Sequence, residues 1–146
     1  MKRVSGFTMI EVVAVMFILT ALALVAVPVG RGALTHRQER QFMERVIEEW
    51  EMLKMKARSE NAYGYISVTG SERQVRFSTL NGTIQVLKLP SSLIFEGSAT
   101  LTVNEKGKMT KAGSLTFKYP EDEKKNERWR ISFQLGWGRA TFVKIN

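Results

Sequence analysis

One run of residues limits this chain more than any other. Residues 7–29 are apolar throughout apart from a few small or hydroxyl side chains and a single charge, Glu11. A helix of about 20 apolar residues crosses a hydrocarbon core, so this segment is long enough to span a bilayer. Lys2 and Arg3 precede it. Cations prefer the cytoplasmic side, which puts the N-terminus in the cytoplasm and the residues after the run outside. A secretory signal has a shorter apolar region, about 7–15 residues, ahead of a small-residue cleavage site. Val29, Gly30, Arg31, Gly32 and Ala33 imitate such a site, but the run is too long for it and the helical pattern continues beyond. The expectation is a retained single-pass anchor headed by a carboxylate.

Residues 35–61 are rich in Glu, Arg, Lys, Met and Ala, all good helix formers. Phe42, Val46, Trp50, Leu53 and Ala57 recur at steps of three or four, so a helix gathers them on one stripe. Glu39, Arg40, Glu44, Arg45, Glu48, Glu49, Glu51, Lys54 and Lys56 are expected mainly on the remaining faces. Pro28, Gly30 and Gly32 interrupt the join, and a kink or looser stretch is expected there.

After Asn61 the pattern changes to period two. Residues 63–69, 72–79 and 83–89 read as strands, separated by Gly70-Ser71 and by Leu80-Asn81-Gly82, whose Asn-Gly pair is a hairpin signal. Shorter candidates are 93–95 and 100–104, and Glu105-Lys106-Gly107-Lys108 reads as a turn. A strand at 114–119 precedes a charged loop at 120–128. Residues 129–135 and 139–145 close as a hairpin around Gly136-Trp137-Gly138. The fold class expected is α+β: a long N-terminal helix whose stripe packs on a half-buried antiparallel sheet.

Composition narrows the partners and the chemistry. The 146 residues suffice for one compact domain and one extra element. The formal net charge of +8 favours anionic partners: nucleic acid, acidic lipid or an anionic wall polymer. There is no cysteine, which excludes disulfides, zinc-thiolate sites and thiol nucleophiles. The single histidine, His36, falls on the polar part of the helix, outside any metal-ligand or nucleophile spacing. Asp122, the only aspartate, sits in the charged loop. With no nucleotide-binding glycine loop and no nucleophile elbow, neither catalysis nor a cofactor or metal is expected.

The opening residues Gly6-Phe7-Thr8-Met9-Ile10-Glu11-Val12-Val13, behind a short basic leader, resemble the class III signal of type IV pilins and pseudopilins. The resemblance implies cleavage between Gly6 and Phe7 by a membrane prepilin peptidase, followed by methylation of the new N-terminal Phe7. Residues 1–6 would then be leader, 7–29 the membrane half of the helix, 30–62 its amphipathic half, and 63–146 the β domain. Loss of Lys2 and Arg3 takes the formal charge from +8 to +6, before the new amine is counted. Glu11 becomes the fifth residue of the mature chain, where the family has its glutamate. Pro28 matches a helix-bending proline of many pilins. Implied partners are other pilins or pseudopilins, the peptidase, an assembly-platform membrane protein and, before assembly, membrane lipid. The implied location is the cell membrane, then an envelope filament.

A physical argument for Glu11 stands beside the resemblance. A carboxylate in hydrocarbon is costly unless partnered or at the interface. After cleavage the Phe7 amine lies about one helical turn away. In a staggered bundle that amine would meet a neighbour's Glu11, and the pair would pin register. In a single chain the alternative is a glutamate that reaches the interface and does nothing more. At Gly6 the missing side chain lets the backbone enter a protease cleft.

The late part of the chain resembles the competence minor pseudopilins of the ComGD type. The residues that carry this are Asn104-Glu105-Lys106-Gly107, Gly113 before an apolar strand, and Gly136-Trp137-Gly138-Arg139. It is also similar to the GspH and FimT branch, so a secretion pseudopilin or a minor type IV pilin stays open. DNA-binding members of that branch resemble one another in a Gly-Arg-x-Arg tail. This chain reads Gly138-Arg139-Ala140-Thr141, so the match to that DNA site is incomplete. Arg128, Arg130, Arg139, Lys144 and Trp137 bring cations and an indole together as DNA binders do. The other reading is a solvated sheet face with Trp129 in the core. Lys106, Lys108 and Lys111 form a further basic group that is ordinarily only solvated. An anchored extracellular DNA receptor is the alternative from outside the filament class.

Overall fold

The structure, a computed structural model, describes residues 8–120 and 128–145, with side chains described outside 23–33. One helix, α1 (Met9–Ser59), precedes seven strands: β1 (Gly64–Thr69), β2 (Gln74–Thr79), β3 (Gly82–Lys88), β4 (Ser98–Val103), β5 (Gly113–Lys118), β6 (Arg128–Phe133) and β7 (Ala140–Ile145). The class is α+β, as the change of period at Asn61 leads one to expect. The chain divides into two units, Met1–Arg37 and Gln38–Asn146.

In the first unit α1 begins at a cap. Thr8 supplies the carbonyl for Val12 N–H at 3.2 Å, and its hydroxyl oxygen accepts the Glu11 N–H at 3.4 Å. Thr8-x-x-Glu11 is thus the sequence pattern of a capping box, with an acid in the first turn where the helix dipole favours one. Where a kink or looser stretch is expected at Pro28, Gly30 and Gly32, the backbone continues as part of α1, and the side chains there lie outside the described residues.

The second unit carries the core. The helical stripe is buried as its spacing requires: Phe42, Val46, Trp50, Leu53 and Ala57, joined by Met43. Each such large apolar side chain contributes about 1.5–3 kcal/mol through its burial. The helix ends by Schellman geometry. Asn61 takes the left-handed conformation, φ 49°, and Ala62 N–H reaches back to the Ala57 carbonyl at 2.9 Å.

The strands form two antiparallel sheets where one was expected, with orders β3-β2-β1-β4 and β5-β6-β7. Isolated bridges link them, Ile94 to Lys118 and Met109 to both Val103 and Gly136. The short candidate at 93–95 is the first of these bridges instead of a strand. Both sheets and the helix feed one core, in which Phe77 and Ile66 meet Leu115, Phe117, Ile131 and Phe133. Glu39, Glu49 and Lys54, expected on outward faces, are buried.

Candidate functional site

Three places in the molecule bear on function. The first is the start of α1. From Met9 to Leu22 the apolar side chains are exposed all round the helix, Met9 at 87% and Phe17 at 76%. Thr20 turns its hydroxyl back to the Met16 carbonyl at 2.7 Å, so the segment's one described hydroxyl after the cap asks nothing of its surroundings. A helix greasy on every side has no solvent-facing side and calls for lipid or other helices around it. Among the described residues, no helix is long and apolar enough to cross a membrane. The expected span at 7–29 extends past them, since the side chains of 23–33 and all of 1–7 lie outside. Gly6, Phe7 and the side chain of Pro28 are therefore outside the described residues. Glu11 is described: it is exposed, at the third helical position, and its N–H is capped by Thr8.

The second place is the late basic group, which the fold separates. Arg128 and Arg130 lie on one face of β6, the central strand of its sheet, with Trp129 on the other. Cross-strand neighbours share a face. Arg128 stands opposite Lys118 and Ile145, and Arg130 opposite Thr116 and Val143. Lys144 is opposite Trp129, so it belongs to the inner face, and its ammonium lies 5.7 Å from the Tyr119 ring centroid. Arg139 and Trp137 are exposed at the β6–β7 turn. The five residues thus occupy two faces and a turn. Arg128 and Arg130 are only half exposed, each with its Nε buried and lacking a hydrogen-bond partner among the described residues.

The inner face holds a group that the sequence did not reveal. Glu39, 2% exposed, accepts from the Tyr119 hydroxyl at 2.8 Å and from Trp129 Nε1 at 3.1 Å. Burial, then the hydrogen bond to Glu39 and its negative charge, hold the Tyr119 phenol above its ordinary pKa. These donors come from 80 and 90 residues away. No local pattern pairs them with a glutamate whose neighbours in sequence are polar and exposed.

The third place is a cleft of about 360 Å³ lined by Arg58, Asn61, Glu105, Lys106, Lys108 and Trp137. It forms because three pieces of chain are tied together. Trp50, Lys54 and Arg58 follow one another at steps of four and share a helix face. Trp50 Nε1 donates to the Gly138 carbonyl at 2.7 Å, and Lys54 Nζ to the Trp137 carbonyl at 3.0 Å. Glu51 pairs with the same ammonium at 2.7 Å. Gly136 exchanges backbone bonds with Met109, at 2.7 and 3.1 Å. The 104–108 turn is built on Asn104, whose side-chain oxygen accepts the N–H of Lys106 at 3.1 Å and of Lys108 at 2.9 Å. Gly107 has φ +68°, and a Cβ there would stand 3.0 Å from both the Lys54 carbonyl and an Arg58 nitrogen. The indole is left 66% exposed, with the Lys108 ammonium 4.6 Å from its ring centroid. Each turn is legible in the sequence; that the two meet on α1 is not.

A larger cleft, about 470 Å³, runs beside α1 and β3 between Gln38, Gln41, Phe42, Arg45 and residues 85–90. It gathers none of the candidate site residues, and its size alone argues for nothing. No group of three or more metal-ligating side chains occurs among the described residues.

Comparison with known families finds a match at the N-terminus. Residues 1–27 fit the prokaryotic N-terminal methylation motif, the N-terminus of type IV pilins, which supports a pilin-like or pseudopilin-like chain. The match implies processing by a prepilin peptidase, methylation, other pilins as partners and a membrane-anchored chain that passes into a surface filament. No curated protein and no solved structure matches the chain.

Proposed function

We propose that this chain is a minor pseudopilin, a structural subunit of a membrane-rooted filament that serves a competence apparatus and handles DNA. The observation that carries it is the methylation motif lying over a helix start that is apolar and exposed on every side. Such a helix needs lipid before assembly and neighbouring helices after it. Thr8, on the mature side of the cut, caps the Glu11 N–H before and after processing, and in the bundle the Glu11 carboxylate meets a neighbour's Phe7 amine. The leader would be cut after Gly6, and Pro28 would shape the packing of the helical shaft. An assembly-platform membrane protein would receive the subunit. The charge of +8 and the exposed cations near Trp137 support the DNA-handling part. A subunit with these roles is not an enzyme.

Two substitutions test the filament reading. Glu11→Ala should enter the membrane normally but be lost from the sheared filament fraction, as followed by immunoblot; normal incorporation would overturn the role given to Glu11. Gly6→Val should keep its leader, which the intact mass of the purified subunit reports. Deletion of the chain separates the systems: loss of transformation supports competence, whereas a secretion defect with normal transformation points to a secretion pseudopilin.

A further inference from the structure

We propose that the cleft around Trp137 binds single-stranded nucleic acid, with one base stacked on the indole and neighbouring phosphates paired with Arg58, Lys106 and Lys108. The proposal deepens the DNA-handling part of the function above and rests on it only for its biological use.

Three features of the cleft point to this ligand. The indole is the exposed aromatic of the cleft, yet its own main chain is among the most firmly held: the carbonyls of Gly136, Trp137 and Gly138 each accept a bond from elsewhere. With its backbone already fixed, the residue loses less freedom when a second flat group stacks on its ring. The charges are the second feature. Three cations and one carboxylate, Glu105, surround the ring, and the cations come from two separate segments, the end of α1 and the 104–108 turn. A ligand with a flat unit and repeated negative charges satisfies both. A sugar polymer would need several aimed acceptors and amides for its hydroxyls, and Asn61 and Glu105 are the only such groups in the lining. The third feature is accessibility. Bases of a duplex are stacked on one another and cannot reach a wall-mounted indole, so a single strand is selected. Arg128 and Arg130, half buried on another face, are not part of this site.

The test is binding of a fluorescently labelled oligothymidylate to the full chain in nonionic detergent micelles, read by anisotropy over a salt series. Trp137→Ala should weaken binding about tenfold, the scale of one lost stacked base, and Trp137→Phe should retain most of the affinity. The double variant Lys106→Ala/Lys108→Ala should flatten the plot of log affinity against log salt by about 1.4, at roughly 0.7 for each phosphate released. Lys88→Ala, which removes one charge on β3 where the double variant removes two, should leave that slope near the parent value. An abasic oligomer of the same length should bind the parent as weakly as the intact strand binds Trp137→Ala. The proposal is overturned if Trp137→Ala binds like the parent, if the abasic strand binds equally well, if duplex DNA competes better than single strand, or if Lys88→Ala flattens the slope as much as the double variant. Because the purified chain alone is measured, any of these outcomes leaves the filament test with Glu11→Ala standing.

Discussion

At the scale of single residues, the fold turns on polar groups taken out of water and matched to partners. Glu39 is the clearest. Its carboxylate joins a helix to two donors, the half-buried Tyr119 hydroxyl and the buried Trp129 indole. Removing an acceptor of this kind leaves each donor to bear its own loss of hydration, about 1–3 kcal/mol. Glu39→Leu should therefore lower unfolding stability by a few kcal/mol in urea titrations, where Glu44→Leu, at an exposed position, should change it little. Tyr119 adds a pH dependence. Its phenol is held above the ordinary value by burial first and by Glu39 second. A raised folded pKa gives stability that is complete below the unfolded pKa and lost as pH rises through the folded one. The loss should begin above about pH 10, and Tyr119→Phe should remove this part of the alkaline decline in thermal melts. The sequence placed Glu39 and Lys54 outside because both are charged and lie off the apolar stripe. Their partners are 80 to 90 residues away and carry no local signature.

At the scale of elements, periodicity was a good guide and pairing was not. The helical stripe from Phe42 to Ala57 is buried as its spacing requires, and seven strands lie within a residue or two of the alternating segments. The split into two sheets could not be read that way, because alternation says which side chains share a face and not which strand is the neighbour. What fixes the split is the chain between β4 and β5, which spends its hydrogen bonds on the Asn104 turn and the Met109 bridges. Gly70, after β1, shows how tight such junctions are. A Cβ there would collide with the backbone carbonyl oxygen of Phe95, which cannot rotate away. At Gly113 the obstacle is instead the tip of the Leu101 side chain. Gly70→Ala should therefore cost about 1–3 kcal/mol and more than Gly113→Ala, by chemical denaturation of the two variants side by side. The helix end is tied to the β2–β3 turn as well. Glu60 accepts from Thr79 at 2.8 Å and from Asn81 at 3.0 Å, bonds that keep its carboxyl below the usual value.

At the scale of the whole molecule, two chemistries share one chain. Up to Leu22 the described side chains of α1 suit an apolar surrounding, whereas the unit from Gln38 onward has its own buried core and a charged surface. A chain beginning at Gln38 should stay in the aqueous phase of a detergent partition, and the full chain should follow the detergent. The methylation motif is the most legible functional signal because it is local: the proposed leader, cut site and glutamate fall within eleven residues. The cleft at Trp137 is the opposite case, assembled from three separate stretches.

The bonds from Trp50 and Lys54 to the carbonyls of residues 138 and 137 also set a timetable. They close loops of 88 and 83 residues, and contacts so distant in sequence form late and slowly. The helix stripe is made early, but the indole of Trp50 lacks its acceptor until Gly138 has been synthesised. For most of its synthesis the chain is therefore unfinished, and its core closes only once both hairpin-turn carbonyls have arrived.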